Sequence, residues 1–153
     1  MQELMEYEEG TAGALMTTEL VVLPFHITAQ EAIDALRQMA PAEDNIYYIY
    51  VTGKQDELLG VLSLRELIIA APDTPLANIF RANPIALSPN DNYQKVLDVT
   101  VKYNLLAIPL VDDHSKKLLG IITIDDVLDQ LMEGKRKPMD KYSYLQSLRS
   151  FRS

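Results

Sequence analysis

The sequence predicts a mixed α/β (α+β) chain: two β-α-β-β-α repeats packed about a pseudo-twofold axis. Three observations lead there. A segment of roughly 60 residues occurs twice. Each copy alternates short apolar, β-rich runs with apolar residues at helical spacing. Hydrophobic residues make up 48% and charged residues 24% of the 153, a globular composition that excludes a disordered chain.

The repeat is read directly. Leu59-Gly60-Val61-Leu62-Ser63-Leu64-Arg65-Glu66-Leu67 matches Leu119-Gly120-Ile121-Ile122-Thr123-Ile124-Asp125-Asp126-Val127. Farther upstream the offset grows by an insertion near Pro41-Ala42-Glu43-Asp44, and Gln30-Glu31-Ala32-Ile33-Asp34 then meets Gln94-Lys95-Val96-Leu97-Asp98. The expected division is a leader over 1–14, a first repeat over 15–72, a second over 73–133 and a basic tail over 134–153.

Each copy opens on an apolar run too short for a helix, Leu20–Leu23 and Ile85–Leu87. A helix follows. In the first copy Ala32, Ile33, Leu36 and Met39 share a face behind the capping box Thr28-x-x-Glu31. In the second, Ser88-Pro89-Asn90-Asp91 opens a helix through Val96, Leu97 and Val101. Dense strands come next, Ile46–Val51 and Leu106–Val111. Polar hairpin turns follow, through Gly53-Lys54-Gln55-Asp56 and Asp112-Asp113-His114-Ser115. Third strands (Leu58–Leu62, Leu118–Ile122) lead into second helices (Leu64–Ala70, Ile124–Met132). One three-stranded repeat cannot cover both faces of its own sheet, whereas two packed together can.

The chain has no cysteine and two histidines. Disulfides, thiolate metal sites and a cysteine nucleophile are excluded, as is a multi-histidine centre within one chain. No stretch approaches the ~20 apolar residues of a membrane span, and the acidic N-terminus is not a signal peptide. Residues 1–133 carry 21 acidic and 8 basic residues, whereas 134–153 carry 1 and 6. The body should repel nucleic acid and anionic membrane and attract cations. The tail pairs its cations with Tyr144, Leu145, Leu148 and Phe151 at helical spacing, which reads as a membrane-proximal segment, a docking helix or a solvated end. No phosphate-loop lysine, dinucleotide-binding glycine motif or nucleophile elbow is present, so no enzyme is expected. His26 and His114 read as surface residues.

The element order and the Gly-h-h-[Ser/Thr]-x-x-acid string resemble a tandem pair of CBS domains, a Bateman module. Glu6-Tyr7-Glu8-Glu9-Gly10-Thr11-Ala12-Gly13-Ala14-Leu15-Met16-Thr17 resembles the segment entering the CBS pair of MgtE-type magnesium transporters and channels. Ile46-Tyr47-Tyr48-Ile49-Tyr50-Val51 is similar to that family as well. The resemblance implies a regulatory pair at the cytoplasmic face of the cell membrane. It implies Mg²⁺ as regulatory ion, an adenine nucleotide such as ATP as a second ligand, and a homodimer. It also implies an attached transmembrane domain and an N-terminal cytoplasmic domain.

Two sets of residues carry the expected chemistry. The resemblance places Thr123 and Asp126 in one nucleotide cleft, and Ser63, Arg65 and Glu66 in the other. Their hydroxyls and carboxylates would meet ribose, with a helix N-terminus for phosphate. Both strings are equally capping boxes, which need no ligand. Tyr48 either stacks on a base or packs on the sheet. In MgtE relatives the position of Glu66 is typically Asp, so the carboxylate here sits farther out. The second set is Asp125, Asp126 and Asp129, crowded at one end of a helix by their spacing. A Mg²⁺ ion, which takes one or two carboxylates and keeps its waters, would offset that crowding, and the resemblance puts Asp126 and Asp129 at regulatory Mg²⁺ positions. The alternative is that acidic residues merely complement the helix dipole. Glu43-Asp44 and Asp112-Asp113 read as solvated turns. Two rival functions stay open: an adenine-nucleotide energy sensor without an ion site, and a structural dimerisation module.

Overall fold

The computed structural model describes residues 7–39 and 48–133. The tail, Met1–Glu6, the insertion and Ile46-Tyr47 lie outside the described residues. The strands and helices are β1 (Val21–Pro24), α1 (Ala29–Met39), β2 (Ile49–Thr52), β3 (Leu58–Leu62), α2 (Leu64–Ile69), β4 (Arg81–Ala82), α3 (Tyr93–Tyr103), β5 (Ala107–Val111), β6 (Leu118–Thr123) and α4 (Ile124–Glu133). The β-α-β-β-α order recurs as expected, with one correction below. No helix among these is long and apolar enough to cross a membrane.

The first sheet runs β1-β2-β3-β4, parallel between β1 and β2 and antiparallel after that. In the second, only β5 and β6 form a full ladder. The expected strand Ile85–Leu87 is reduced to a single parallel bridge from Leu87 to Leu110. Proline explains the loss. Leu87 donates to the Pro109 carbonyl and accepts from the Val111 N–H, both at 3.0 Å. The next rung would need an N–H from residue 109, which proline lacks.

Local chemistry sets the helix starts. Thr28 and Glu31 close the expected capping box on α1: the Thr28 N–H donates to Glu31 Oε1 at 2.9 Å, and the Glu31 N–H to Thr28 Oγ1 at 3.1 Å. Helix α3 starts later than expected. Asn92, not Ser88, caps it, accepting from the Lys95 N–H at 2.9 Å. The residues before it are engaged elsewhere, since Pro89 and Asp91 give their carbonyls to Gly13 and Ala12.

That engagement is half of an exchange between the repeats. The Ala12 and Gly13 N–H groups donate to Asp91 and Pro89, each at 2.7 Å. In the same way Leu76 and Ala77 donate to Ile27 and Phe25, at 2.8 and 3.1 Å. Ala12 and Leu76 each lie in a short 3-10 turn and each is 0% exposed. Leu76 completes the core of the first sheet, with Leu23, Ile49, Leu62 and Leu67. Ala12 completes the second, with Val96, Ile108, Ile122 and Val127. The leader of each repeat therefore fills its neighbour's core. Each leader then lies along the neighbour's third strand: Arg81 pairs with Val61, and Thr17 bridges Ile121. Gly60 and Gly120 permit these crossings. A Cβ on Gly60 would strike the Phe80 ring, and one on Gly120 would come within 2.7 Å of the Thr17 carbonyl oxygen.

The sheets meet through the faces turned away from the helices. Tyr50, Ala107 and Ile121 are buried there, with Leu20, Tyr48, Leu58, Val61 and Leu118 around them. The hairpins touch on the pseudo-twofold axis, where Leu58 donates to Lys116 and Leu118 to Asp56, both at 3.1 Å. Asp56 and Lys116 hold matching left-handed turns, at φ 66° and 65°. In the second turn Asp112 Oδ2 accepts from the Ser115 and His114 N–H groups, holding its carboxyl below the usual range. Both histidines are exposed.

Two substitutions test the exchange. Leu76→Ala should cost about 2–5 kcal/mol, read as a Tm lower by about 5–15 °C. Gly120→Ala should force the leader off β6 and cost about 1–3 kcal/mol. Hydrogen exchange should then lose protection at Thr17 and Ile121 before the rest of β6. Unchanged protection at both amides would mean the crossing does not need the glycine.

Candidate functional site

A cleft of about 250 Å³ opens where the two sheets meet. Tyr48 and Tyr50 form one wall, with Val61 beside them on β3. Leu105, Ala107 and Pro109 form the opposite wall on and before β5. The linker Arg81-Ala82-Asn83-Pro84-Ile85 runs across the mouth. It lies there because Arg81 must pair with β3 before the chain reaches its bridge at Leu87.

Tyr48 belongs both to the sheet packing and to the cleft wall. Its hydroxyl accepts from the Leu106 N–H at 3.4 Å, tying the two repeats together. Its ring meets that of Tyr50 edge-on, with centroids 6.3 Å apart. Tyr50 is 2% exposed, and its hydroxyl has no hydrogen-bond partner. Burial, with Tyr48 close by, pushes the phenol well above its usual range, so it stays protonated.

Ser63 and Glu66 close a full capping box on α2. The Ser63 N–H donates to Glu66 Oε1 at 2.7 Å, and the Glu66 N–H to Ser63 Oγ at 3.0 Å. Glu66 reaches the cleft indirectly, its Oε2 lying 3.5 Å from Nε of Arg81. The two side chains are 31% and 62% exposed, so the pair stabilises by well under about 1 kcal/mol. Its importance is positional: it holds a guanidinium at the mouth. Arg65 is exposed on the first turn of α2 and does not line the cleft.

Thr123 and Asp126 lie outside the cleft lining. Thr123 is buried, pairs with the cleft residue Ala107, and accepts the Asp126 N–H on Oγ1 at 3.2 Å. The pair thus stands one strand behind the wall. Asp125, Asp126 and Asp129 do share the first two turns of α4. Among the described residues, no three His, Cys, Asp or Glu side chains converge to hold an ion.

Sequence reasoning missed Tyr50, Arg81 and Asn83. Tyr50 was legible: residues 48 and 50 of one strand share a face, so a cleft residue at 48 implies a neighbour at 50. Arg81 and Asn83 carry only the weak signal of a polar Asn-Pro linker between two repeats.

The CBS domain pattern matches this chain over residues 12–73 and again over 76–133. The magnesium transporter MgtE of Enterococcus faecalis is 40% identical over 129 residues, 84% of this chain and 28% of the transporter. The chain therefore spans less than a third of the length of that relative. A crystal structure of the soluble part of a magnesium transporter superposes with a TM-score of 0.78 at 38% identity, covering 85% of this chain and 50% of that one. The cytosolic domain of the Mg²⁺ channel MgtE, solved in complex with ATP, gives 0.76 at 40% identity, covering 81% of this chain and 50% of that one. Two inosine-5'-monophosphate dehydrogenases are matched over only 13% and 21% of their length. That likeness runs through the CBS domains. Two full repeats, each carrying the pattern and each completing the other's core, mean that the chain belongs to the CBS-domain family as a tandem pair.

Proposed function

We propose that this chain is the regulatory CBS pair of an MgtE-like magnesium transporter, binding adenine nucleotide in the inter-sheet cleft and sensing Mg²⁺ to gate an attached pore. The observation that carries the nucleotide part is the cleft itself. Its walls are apolar, they include a tyrosine whose buried hydroxyl has no partner, and a guanidinium stands at its mouth. A flat heterocycle fits between such walls while its charged groups stay at the exposed end. Support also comes from the 40%-identical relative solved with ATP.

The Mg²⁺ part rests on charge. The body carries 21 acidic against 8 basic residues, and Asp126 and Asp129 sit one turn apart on α4. Hard carboxylate oxygens suit Mg²⁺, and an ion that keeps several waters needs only one or two of them. The two aspartates would be a partial ligand set, with waters or a facing unit completing it. When bound, the ion supplies neutralisation that lets facing acidic surfaces approach. Without it they repel, and the ion's preference for the closed arrangement is the coupling energy.

The partner nearest at hand is a second copy. Leu64, Ile68 and Ile69 of α2 are 46%, 63% and 68% exposed, and Leu131 of α4 is also exposed. Apolar residues gathered on two related helices fit a symmetric, self-complementary interface. The second reading is the energy sensor, in which adenine nucleotide binds in the cleft without an ion site.

Thermal unfolding at constant ionic strength tests these readings together. ATP at 100 times its Kd should stabilise the fold by about 2.7 kcal/mol, a Tm rise of about 5–10 °C. Arg81→Ala should weaken ATP roughly tenfold, by removing one charge-assisted contact. Mg²⁺ should give a saturable shift that Asp126→Asn with Asp129→Asn abolishes. An ATP shift undiminished in the absence of metal, with no Mg²⁺ shift at all, would favour the energy sensor. Ile68→Asp should convert a dimer to a monomer by light scattering, and a wild type already monomeric at high concentration would overturn the dimer.

A further inference from the structure

Tyr50 is a buried polar group that the fold does not use. Ile49 and Val51, on either side of it, face the helical core, while Tyr50 faces the other sheet. Its hydroxyl is enclosed and has no hydrogen-bond partner, and the residue itself lines the cleft. Buried hydroxyls in native proteins are almost always hydrogen-bonded, so an orphan at the edge of a cleft asks for a partner. The neighbouring tyrosine does not share this condition, since the Tyr48 hydroxyl already accepts the Leu106 N–H.

The repeat supplies a control. Position 50 corresponds to Pro109, which is buried and pairs with Ile121 as Tyr50 pairs with Val61, and it carries no polar side-chain atom. Position 48 corresponds to Ala107, and Arg81 corresponds to Thr17. Packing at this register is therefore satisfied by an aliphatic side chain, and the phenol is an addition particular to the cleft of the first repeat. Burial keeps that phenol protonated, so it offers both a donor and an acceptor in a dry setting, where a matched ligand atom is recognised strongly and a mismatched one is penalised.

We propose that Tyr50 is the specificity-determining residue of the cleft, its hydroxyl making the buried hydrogen bond to the ring edge of a nucleotide base whose phosphates lie toward Arg81. The assignment rests on the nucleotide reading above. It follows from position: Tyr50 is enclosed and Arg81 is 62% exposed, so the uncharged end of the ligand meets the phenol and the anionic end meets the guanidinium.

Calorimetric titration of the full chain with ATP, GTP and inorganic tripolyphosphate, wild type against Tyr50→Phe, tests it. Tyr50→Phe should bind ATP about 3- to 10-fold more weakly, the span of one hydrogen bond. The ATP-to-GTP preference should fall toward one, and tripolyphosphate binding should not change. The ligand-free Tm should hold or rise, since an unsatisfied hydroxyl is removed. A purely structural tyrosine would lower Tm and leave the base preference intact. Wild-type ATP binding with no change in Tyr50→Phe would overturn the assignment and leave the nucleotide reading standing. Equal wild-type affinity for ATP and tripolyphosphate would overturn it as well. No binding of any of the three would overturn both.

Discussion

The arrangement depends on one reciprocal contact: Ala12 packs in the second core and Leu76 in the first, each followed by a strand of leader crossing a glycine. Neither repeat holds a complete core of its own, so the two order together. A small residue on one side and a larger one on the other keep the pseudo-symmetry approximate. The exchange also explains details that look unrelated. Helix α3 begins at Tyr93 because the carbonyls before it are given to the leader. The linker after Leu76 must lie along β3, which puts Arg81 and Asn83 over the space between the sheets.

The cleft is a by-product of that routing. Two twisted sheets in face-to-face contact do not seal along their whole edge, and here the gap falls between β2 and β5 with the linker across it. Its chemistry comes from where the copies differ. Tyr48 and Tyr50 stand where the second repeat has Ala107 and Pro109. Glu66, one carbon longer than Asp126, caps its helix with one oxygen and holds Arg81 with the other. The shared motif does a structural task in both copies, and only in the first does it also reach toward the cleft.

Charge forms a second layer, independent of the cleft. Carboxylates dominate the body and gather at the start of α4, where the helix dipole favours them even without an ion. The same α4 and its counterpart α2 expose apolar side chains. An acidic surface beside a sticky one suits a module whose neighbours are to be held apart or drawn together according to the ionic conditions.

By itself the sequence determined the repeat, the element order, the hairpins, the capping boxes of α1 and α2, and the CBS family. These follow from short-range rules: apolar period, turn chemistry and the pairing of a hydroxyl with an acid three residues on. Placement was decided only by the tertiary structure. A two-residue strand such as Arg81–Ala82 has no period to read, and the loss of a strand before Leu87 depends on a proline over twenty residues away in a neighbouring strand. Which of the site candidates face a common space was equally a matter of packing. Tyr48 does. Thr123 and Asp126 stand one strand behind, and Arg65 points its charge to solvent, because the routing of the exchanged leaders sets where the sheets part. Local spacing names the chemistry a residue can offer, whereas the long-range contacts determine what it meets.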